Sequence, residues 1–165
     1  MSIIDSMLME FDQESKTTQK LLDRLPEDKL SWKPHAKSQS LGVLAMHIAN
    51  APAQIAAAAA QDTFEFTGGG TPEPTTRKEI LDAFTQNLAK ARDTLKTMDD
   101  ARIMASWSAT SKGKTLMTIP RVALIRGILL NHVYHHRGQL SVYLRLLDVP
   151  VPSIYGPSAD ENPFA

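Results

Sequence analysis

Two histidines four residues apart, His132 and His136, carry the clearest chemical signal in the sequence. They lie in a segment with helical periodicity, where they would be about 40° apart on one face and one turn from each other. Leu129 and Leu140 share that face, so both rings are predicted to point toward the core. The spacing suits two ligands of one metal ion. Such pairs also arise by chance, and the two rings could instead be hydrogen-bonded core or boundary residues.

A third histidine strengthens the metal interpretation. His47 lies on the arc of another helical segment that also carries Val43, Leu44 and Ala51, so its ring should face inward as well. Three imidazoles on two helices would bind one side of a divalent ion and leave other positions open, as in reactive metal sites. Coordination would also offset the cost of burying three polar rings. We therefore predict His47, His132 and His136 as metal ligands.

The remaining candidates for the site are polar residues near these helical faces. Gln139 and Tyr143 share the face of His132, and Gln54 follows His47 by about two turns. Gln139 and Tyr143 could orient a metal-bound water or a substrate, although core packing explains them equally well. Gln54 is a weaker candidate for supporting the metal ligands from behind. His135, at the boundary of the stripe, and His35, in a loop, are not predicted to be ligands. Arg137 points about 140° away from His132 and should tie the helix to the tail, another helix or a subunit interface.

Composition narrows the chemistry. The 165 residues include 18 Lys+Arg, 18 Asp+Glu and no Cys. The balanced charge argues against binding of nucleic acid or anionic lipid, and the lack of Cys excludes thiolate catalysis and sulfur ligands. Any metal must therefore use histidine or oxygen ligands. No signal peptide is visible, residues 40–61 are too polar for a membrane span, and we predict a cytoplasmic protein.

Four segments must position these residues. Each has helical periodicity, and Pro and Gly are concentrated between them. Helix starts are predicted at Ser2 and Ser40, which can act as N-caps, and at Thr76, which can form a capping box with Glu79. Pro52 should bend the second helix. The segments are residues 2–25, 40–61, 76–98 and 120–147, followed by an extended tail at 148–165 packed on the bundle. Residues 99–118 read as a loop or a small hairpin. The prediction is an all-α, antiparallel four-helix bundle forming one domain over residues 1–165.

The motifs that carry these residues resemble the DinB-like superfamily of bacterial four-helix-bundle proteins. The resemblance rests on Leu44-Ala45-Met46-His47-Ile48, on His132 and His136 followed by Arg137-Gly138-Gln139-Leu140, and on the tail from Pro150 to Glu161. Trp32-Lys33-Pro34 is also similar to the loop before the second helix of that superfamily. The likeness spans nearly the whole chain.

The resemblance implies more than the spacing does. It implies an up-down-down-up bundle, a divalent metal held by His47, His132 and His136, and often a homodimer. Better-understood relatives are metal-dependent S-transferases or isomerases that use low-molecular-weight thiols, while many members have no assigned substrate.

Three functions are consistent with these features. The first is a metal-dependent enzyme that activates a small thiol or water for transfer to a small electrophilic substrate. The second is a metal-dependent hydrolase, and the third is a non-catalytic metal- or ligand-binding protein of a stress response. The expected cofactor is one divalent ion, zinc or nickel first, with iron, manganese or copper as alternatives.

Overall fold

The structure is a computed structural model and describes residues 2–164. Four long helical elements form the bundle, with short elements between them. The elements are α1 (Ile3–Leu22), a 3-10 turn (Glu27–Lys29), α2 (Leu41–Ala60), β1 (Thr63–Glu65), α3 (Arg77–Lys96), α4 (Asp100–Met104), β2 (Ser106–Ser111), β3 (Lys114–Pro120), α5 (Arg121–Leu124), a π-helical segment (Ile125–Leu130) and α6 (Asn131–Leu146).

The predicted helix starts are found at the predicted residues. Ser2 Oγ accepts a hydrogen bond from the Asp5 backbone N–H at 3.2 Å, and Ser40 Oγ accepts one from Val43 at 3.2 Å. Thr76 Oγ1 caps α3 in the same way, but the Glu79 carboxylate accepts from the backbone N–H of Thr75 at 3.1 Å. The predicted capping box at Thr76 is therefore only half formed, since its return bond goes to the preceding residue.

The chain directions follow the up-down-down-up order that the resemblance implies. Helices α2 and α3 are parallel, since Asn87 in the middle of α3 donates to Asn50 in the middle of α2 at 3.0 Å, and their N-terminal ends are also adjacent. At that end Gly42 permits a close approach, because a Cβ atom there would lie 3.0 Å from Pro74 Cγ and 3.1 Å from the Leu30 carbonyl oxygen. Helix α6 runs antiparallel to α2, so Leu140 and Leu144 pack in the same cluster as Leu41.

A small sheet departs from the all-α prediction. The hairpin of β2 and β3 is present as predicted, but β1 adds a third strand in the order β1-β2-β3 and pairs parallel to β2. Three residues of β1 are too few for a period-two pattern to be recognised in the sequence. Their pairing partners lie more than 40 residues further along the chain, so local sequence does not reveal them.

The final helix is not continuous. The sequence predicts one helix over residues 120–147, whereas Pro120 ends β3 and residues Ile125–Leu130 form a π-helical segment between α5 and α6. A π-helix closes i→i+5 hydrogen bonds, so the advance of about 100° per residue does not hold across it. Ile125 and Leu129 are nevertheless buried, as predicted.

The apolar helix α2 is a core helix. This helix is more apolar than predicted, since by length and composition it could cross a membrane, but 56% of its apolar 18-residue stretch is buried inside the fold. Its side chains contribute to both apolar clusters of the bundle. The tail packs on the bundle through the buried residues Val151, Pro152 and Ser153. The assignment of residues 1–165 to one domain stays a prediction.

Arg137 contacts both another helix and the tail, as predicted. Its buried guanidinium lies 2.6 Å from the Glu14 carboxylate of α1 and donates a hydrogen bond to the Tyr155 hydroxyl of the tail. It therefore ties α6 to two other parts of the chain.

Candidate metal centre

The structure brings the three predicted ligands together. The Nε2 atom of His132 lies 3.3 Å from Nε2 of His47 and 3.0 Å from Nε2 of His136. One nitrogen from each ring lies within 4.8 Å of the others, and the three rings are half-buried. Helix α2 supplies His47, and one turn of α6 supplies the other two. Three histidines that could hold a metal ion thus converge from two antiparallel helices.

The spacing of the nitrogens fits a shared metal ion. Two ligands at about 2.0–2.1 Å from an ion, with an angle of about 90–110° between them, lie roughly 2.9–3.4 Å apart. The two distances measured from His132 Nε2 fall within that range. All three donors are imidazole nitrogens, which suit zinc, nickel, copper and iron. The residues present therefore fit a divalent ion.

A hydrogen-bonded cluster explains the same contacts less well. His132 uses the same Nε2 atom toward both His47 and His136. In a neutral imidazole that atom carries either one hydrogen or one lone pair, so it can form a well-directed hydrogen bond with only one of the two rings. The His132 Nδ1 atom is buried and has no hydrogen-bond partner among residues 2–164, and this is the same in both interpretations. An ion would use the lone pairs of all three rings at once.

Gln139 orients one of the rings. Its Oε1 atom lies 2.7 Å from His136 Nδ1, and an amide oxygen can only accept a hydrogen bond. The hydrogen of His136 is thereby held on Nδ1, and the lone pair of Nε2 points toward the other rings. Metal-binding histidines commonly donate their second nitrogen to such an acceptor. Gln139 therefore contacts a candidate ligand, and its role in orienting metal-bound water or substrate stays a prediction.

The electrostatics favour neutral rings. Burial, with the neighbouring His136, His47 and His135, lowers the pKa of His132 from 6.5 to about 4. Burial also lowers the pKa of His47, aided by His136. The pKa of His136 is lowered chiefly by burial, although its hydrogen bond with Gln139 opposes the shift. An imidazole must be deprotonated to bind a metal, so the rings are ready to act as ligands near neutral pH.

These pKa shifts predict how the metal-free protein responds to acid. In the unfolded chain His132 titrates near 6.5, and in the folded chain near 4, so the unfolded state binds more protons between those values. The free energy of unfolding should therefore fall as the pH drops from about 7 to 5 in the presence of a chelator. Chemical denaturation at each pH measures it. The His132→Asn variant should show a flatter dependence, and equal slopes in both proteins would contradict this prediction.

The other predicted polar residues, Gln54 and Tyr143, have surroundings different from that of Gln139. Tyr143 donates a hydrogen bond to the Gln39 carbonyl oxygen at 3.4 Å and packs edge-on against Trp32. Gln54 is exposed, and neither it nor Tyr143 bonds to the three rings within the described part of the chain. A role for Gln54 or Tyr143 in orienting water or substrate stays a prediction. His135 is exposed, and so is His35 in its loop.

An apolar cavity near the rings was not predicted. It encloses about 160 Å³, and its walls come from α2, β1, β2, α5 and the π-helical segment. The wall residues on these elements include Ile55, Ala58, Phe64, Trp107, Leu124 and Ile128. Sequence analysis missed it because five separate elements build it. The only local signal is the alternation of Phe64 and Phe66, which places two aromatic rings on one face of a strand.

Comparison with known proteins identifies the family. A family model described as the DinB family matches residues 1–163. The chain belongs to the DinB family. YrdA, an uncharacterized protein of Bacillus subtilis (strain 168), is 29% identical over 162 residues, which cover 96% of this chain and 91% of that protein. The family resemblance seen in the sequence motifs is thus confirmed.

Solved structures of DinB-like proteins share the fold. A DinB-like protein from Bacillus cereus ATCC 10987 is 26% identical, with a TM-score of 0.76 over 93% of this chain and 98% of that one. YjoA, a DinB-like protein of Bacillus subtilis, is 18% identical, with a TM-score of 0.70 over 90% of this chain and 97% of that one. The second likeness concerns the fold alone. Together with the helix order, they confirm the predicted helical bundle.

Proposed function

We propose that this DinB family protein is a metal-dependent enzyme that transfers a small thiol to an electrophilic small molecule. The observation that carries the proposal is the convergence of three imidazoles, with Nε2 spacings of 3.0 and 3.3 Å from His132. The motifs resemble the DinB-like superfamily, whose better-understood members are thiol-dependent S-transferases or isomerases, and this resemblance supports the reaction class. Zinc or nickel is the proposed ion, with iron, manganese or copper as alternatives.

Four side chains have defined roles in the proposed metal site. His47, His132 and His136 would hold the ion, and Gln139 keeps the hydrogen of His136 away from it. A divalent ion with three protein ligands keeps positions open and can supply Lewis-acid chemistry to a thiol or a water. The half-buried rings leave access from solvent. Because the chain has no Cys, the thiol must be a separate substrate.

The proposed reaction is a substitution at carbon. The sulfur of the thiol forms a bond to the electrophilic carbon, and the bond from that carbon to its leaving group breaks. The leaving group departs with the electron pair, and the thiol proton is released to solvent. Hydrolysis by the same site would use water in place of the thiol. A homodimer and a cytoplasmic location remain predictions.

The decisive experiment combines metal analysis with a thiol assay. The protein is purified without a metal-affinity column, its metal content is measured, and it is incubated with small thiols and a panel of electrophiles. Metal-dependent loss of free thiol supports the transferase. Turnover without thiol supports the hydrolase, and stoichiometric metal without any turnover supports a non-catalytic binder. Since the chain contains no Cys, a thiol reagent reports only the added thiol.

Metal binding should stabilise the fold without being required for it. An ion at about 100 times its dissociation constant should stabilise the folded state by roughly 2.7 kcal/mol, which raises the melting temperature by about 5–10 °C. The metal-free protein should still fold, because the apolar clusters of the bundle do not include the three rings. Thermal melts with and without a chelator measure the stabilisation by the ion and show whether the metal-free protein is folded. Complete unfolding by chelator at room temperature would contradict the prediction.

A further inference from the structure

The apolar cavity lies close to the three imidazoles. Ile128 in its wall precedes His132 by four residues, and Gln54 at its edge follows His47 by seven. In α2 the seven residues from His47 to Gln54 span about 10 Å at a rise of about 1.5 Å per residue, and Ile128 lies in the π-helical segment that continues directly into α6. The cavity therefore lies within about two helical turns of the rings along the chain.

The cavity is chemically suited to an uncharged, apolar occupant. No charged side chain lines it within residues 2–164. The indole N–H of Trp107 already donates to the Ala58 carbonyl oxygen at 2.9 Å, so the ring offers only its apolar surface. The one polar side chain in its wall is the amide of Gln54. A charged or strongly polar group would lose its hydration there without gaining partners.

The size of the cavity corresponds to one aromatic ring. An apolar cavity of roughly 150 Å³ lined by Leu, Ile and Phe is large enough to bind benzene. The volume here is about 160 Å³. The cavity is also open, since Phe66 in its wall is 49% exposed and Ile128 is 43% exposed. An occupant could therefore enter from solvent and remain connected to a reacting group outside the cavity.

A larger groove elsewhere does not compete for this role. It encloses about 590 Å³ between α1 and α3, and Asp12, Lys16 and Arg92 line it. The three rings lie on α2 and α6, which are the other two long helices of the bundle. The groove is thus charged and belongs to the helix pair that carries none of the three rings.

We propose that the apolar cavity binds an uncharged group of the size of one aromatic ring. We further infer that the cavity holds the apolar part of the electrophile while the reactive carbon of the electrophile lies at the histidines. This second inference rests on the proposed function. The substrate class is then an aryl or comparably bulky alkyl electrophile with a good leaving group.

Bromobenzene tests the cavity independently of catalysis. Its heavy atom should quench the fluorescence of Trp107, and a Trp32→Phe background removes the only other tryptophan. Quenching should saturate, with and without metal, and should persist in a His132→Ala variant. Phe66→Gln should raise the dissociation constant about tenfold, because it removes apolar wall area. Phe164→Gln is the matched control, since Phe164 is 82% exposed in the tail and should leave binding unchanged.

Ile128→Gln provides a second change in the wall, and it should also weaken bromobenzene binding several-fold. Quenching that never saturates, or equal binding in the Phe66→Gln and Phe164→Gln variants, would overturn the cavity assignment. Circular dichroism of each variant confirms that the bundle is intact. Because binding is measured without thiol or turnover, its failure is distinct from failure of the proposed function.

A pair of alkyl chlorides tests the substrate class. With L-cysteine as the thiol, benzyl chloride should be turned over with a higher kcat/KM than chloroacetamide, after subtraction of the uncatalysed rates. Phe66→Gln should reduce that preference about tenfold. Equal preference in the wild-type protein and the variant would overturn the assignment of the electrophile to the cavity. Absence of thiol turnover with any electrophile, together with saturable bromobenzene binding, would instead refute the transferase and support the cavity as an apolar binding site.

Discussion

Replacing His132 by Ala is expected to abolish stoichiometric metal binding and all metal-dependent turnover. His132 occupies the central position, since its Nε2 atom is the one in contact with both other rings. Its loss leaves two ligands from different helices, which hold an ion far less tightly than three converging ones. His136→Ala should have the same effect. Metal content after gel filtration and turnover of the thiol substrate measure the two consequences.

The matched control is His135→Ala on the same helix. His135 is exposed and adjacent in sequence to His136, so its removal should keep one ion per chain. Circular dichroism should show that all three variants remain helical. Equal loss of metal in the His135 variant would mean that the ion is elsewhere. Full metal content with unchanged turnover in the His132 or His136 variant would remove the basis for the enzyme proposal.

Arg121→Met is expected to destabilise the fold by about 3–5 kcal/mol, which is the range seen when one member of a buried ion pair is removed. The Arg121 side chain is fully buried and donates to the carbonyl oxygens of Ala59 at 2.9 Å, Gln61 at 2.8 Å and Ser106 at 3.1 Å. It also pairs with the carboxylate of Asp62. Ala59 is buried in the last turn of α2, where carbonyls lack a helical partner, so methionine at position 121 would leave its carbonyl oxygen unsatisfied.

Arg126→Met is the comparison for this effect. Arg126 pairs with Glu10 at the surface, where its side chain is 48% exposed, so its loss should cost less than about 1 kcal/mol. Urea denaturation of both variants without metal measures the difference, and Arg121→Met should lower the melting temperature by about 6–20 °C. Similar losses in the two variants would show that the buried hydrogen bonds of Arg121 contribute little.

The sequence was most informative where the controlling interactions are local. Caps at Ser2, Ser40 and Thr76 were predictable because the capping oxygen and the backbone N–H are three residues apart. The juxtaposition of His132 and His136 follows from helical geometry in the same way. The two side chains are adjacent as predicted because both residues lie in α6, beyond the π-helical segment.

The sheet, the π-helical segment and the buried Arg121 depend on contacts that no local pattern encodes. Strand β1 pairs with residues 45 positions away, and the partners of Arg121 belong to the end of α2 and to the first residue of β2. Such interactions arise only when distant segments pack and their buried polar groups must find partners. The apolar cavity is likewise a space left between packed elements.

The sequence alone predicted the helical bundle and the candidate ligands, and it showed that the chain contains no thiol. Helical periodicity and residue identity are properties of the local sequence. The tertiary structure decided that the Nε2 atom of His132 lies 3.3 Å from that of His47 and 3.0 Å from that of His136. It also decided that the walls of the apolar cavity include residues four to seven positions from these ligands along the chain. Distances between helices depend on how side chains from every element pack at once. That packing is what places a candidate metal centre beside a space for an aromatic ring.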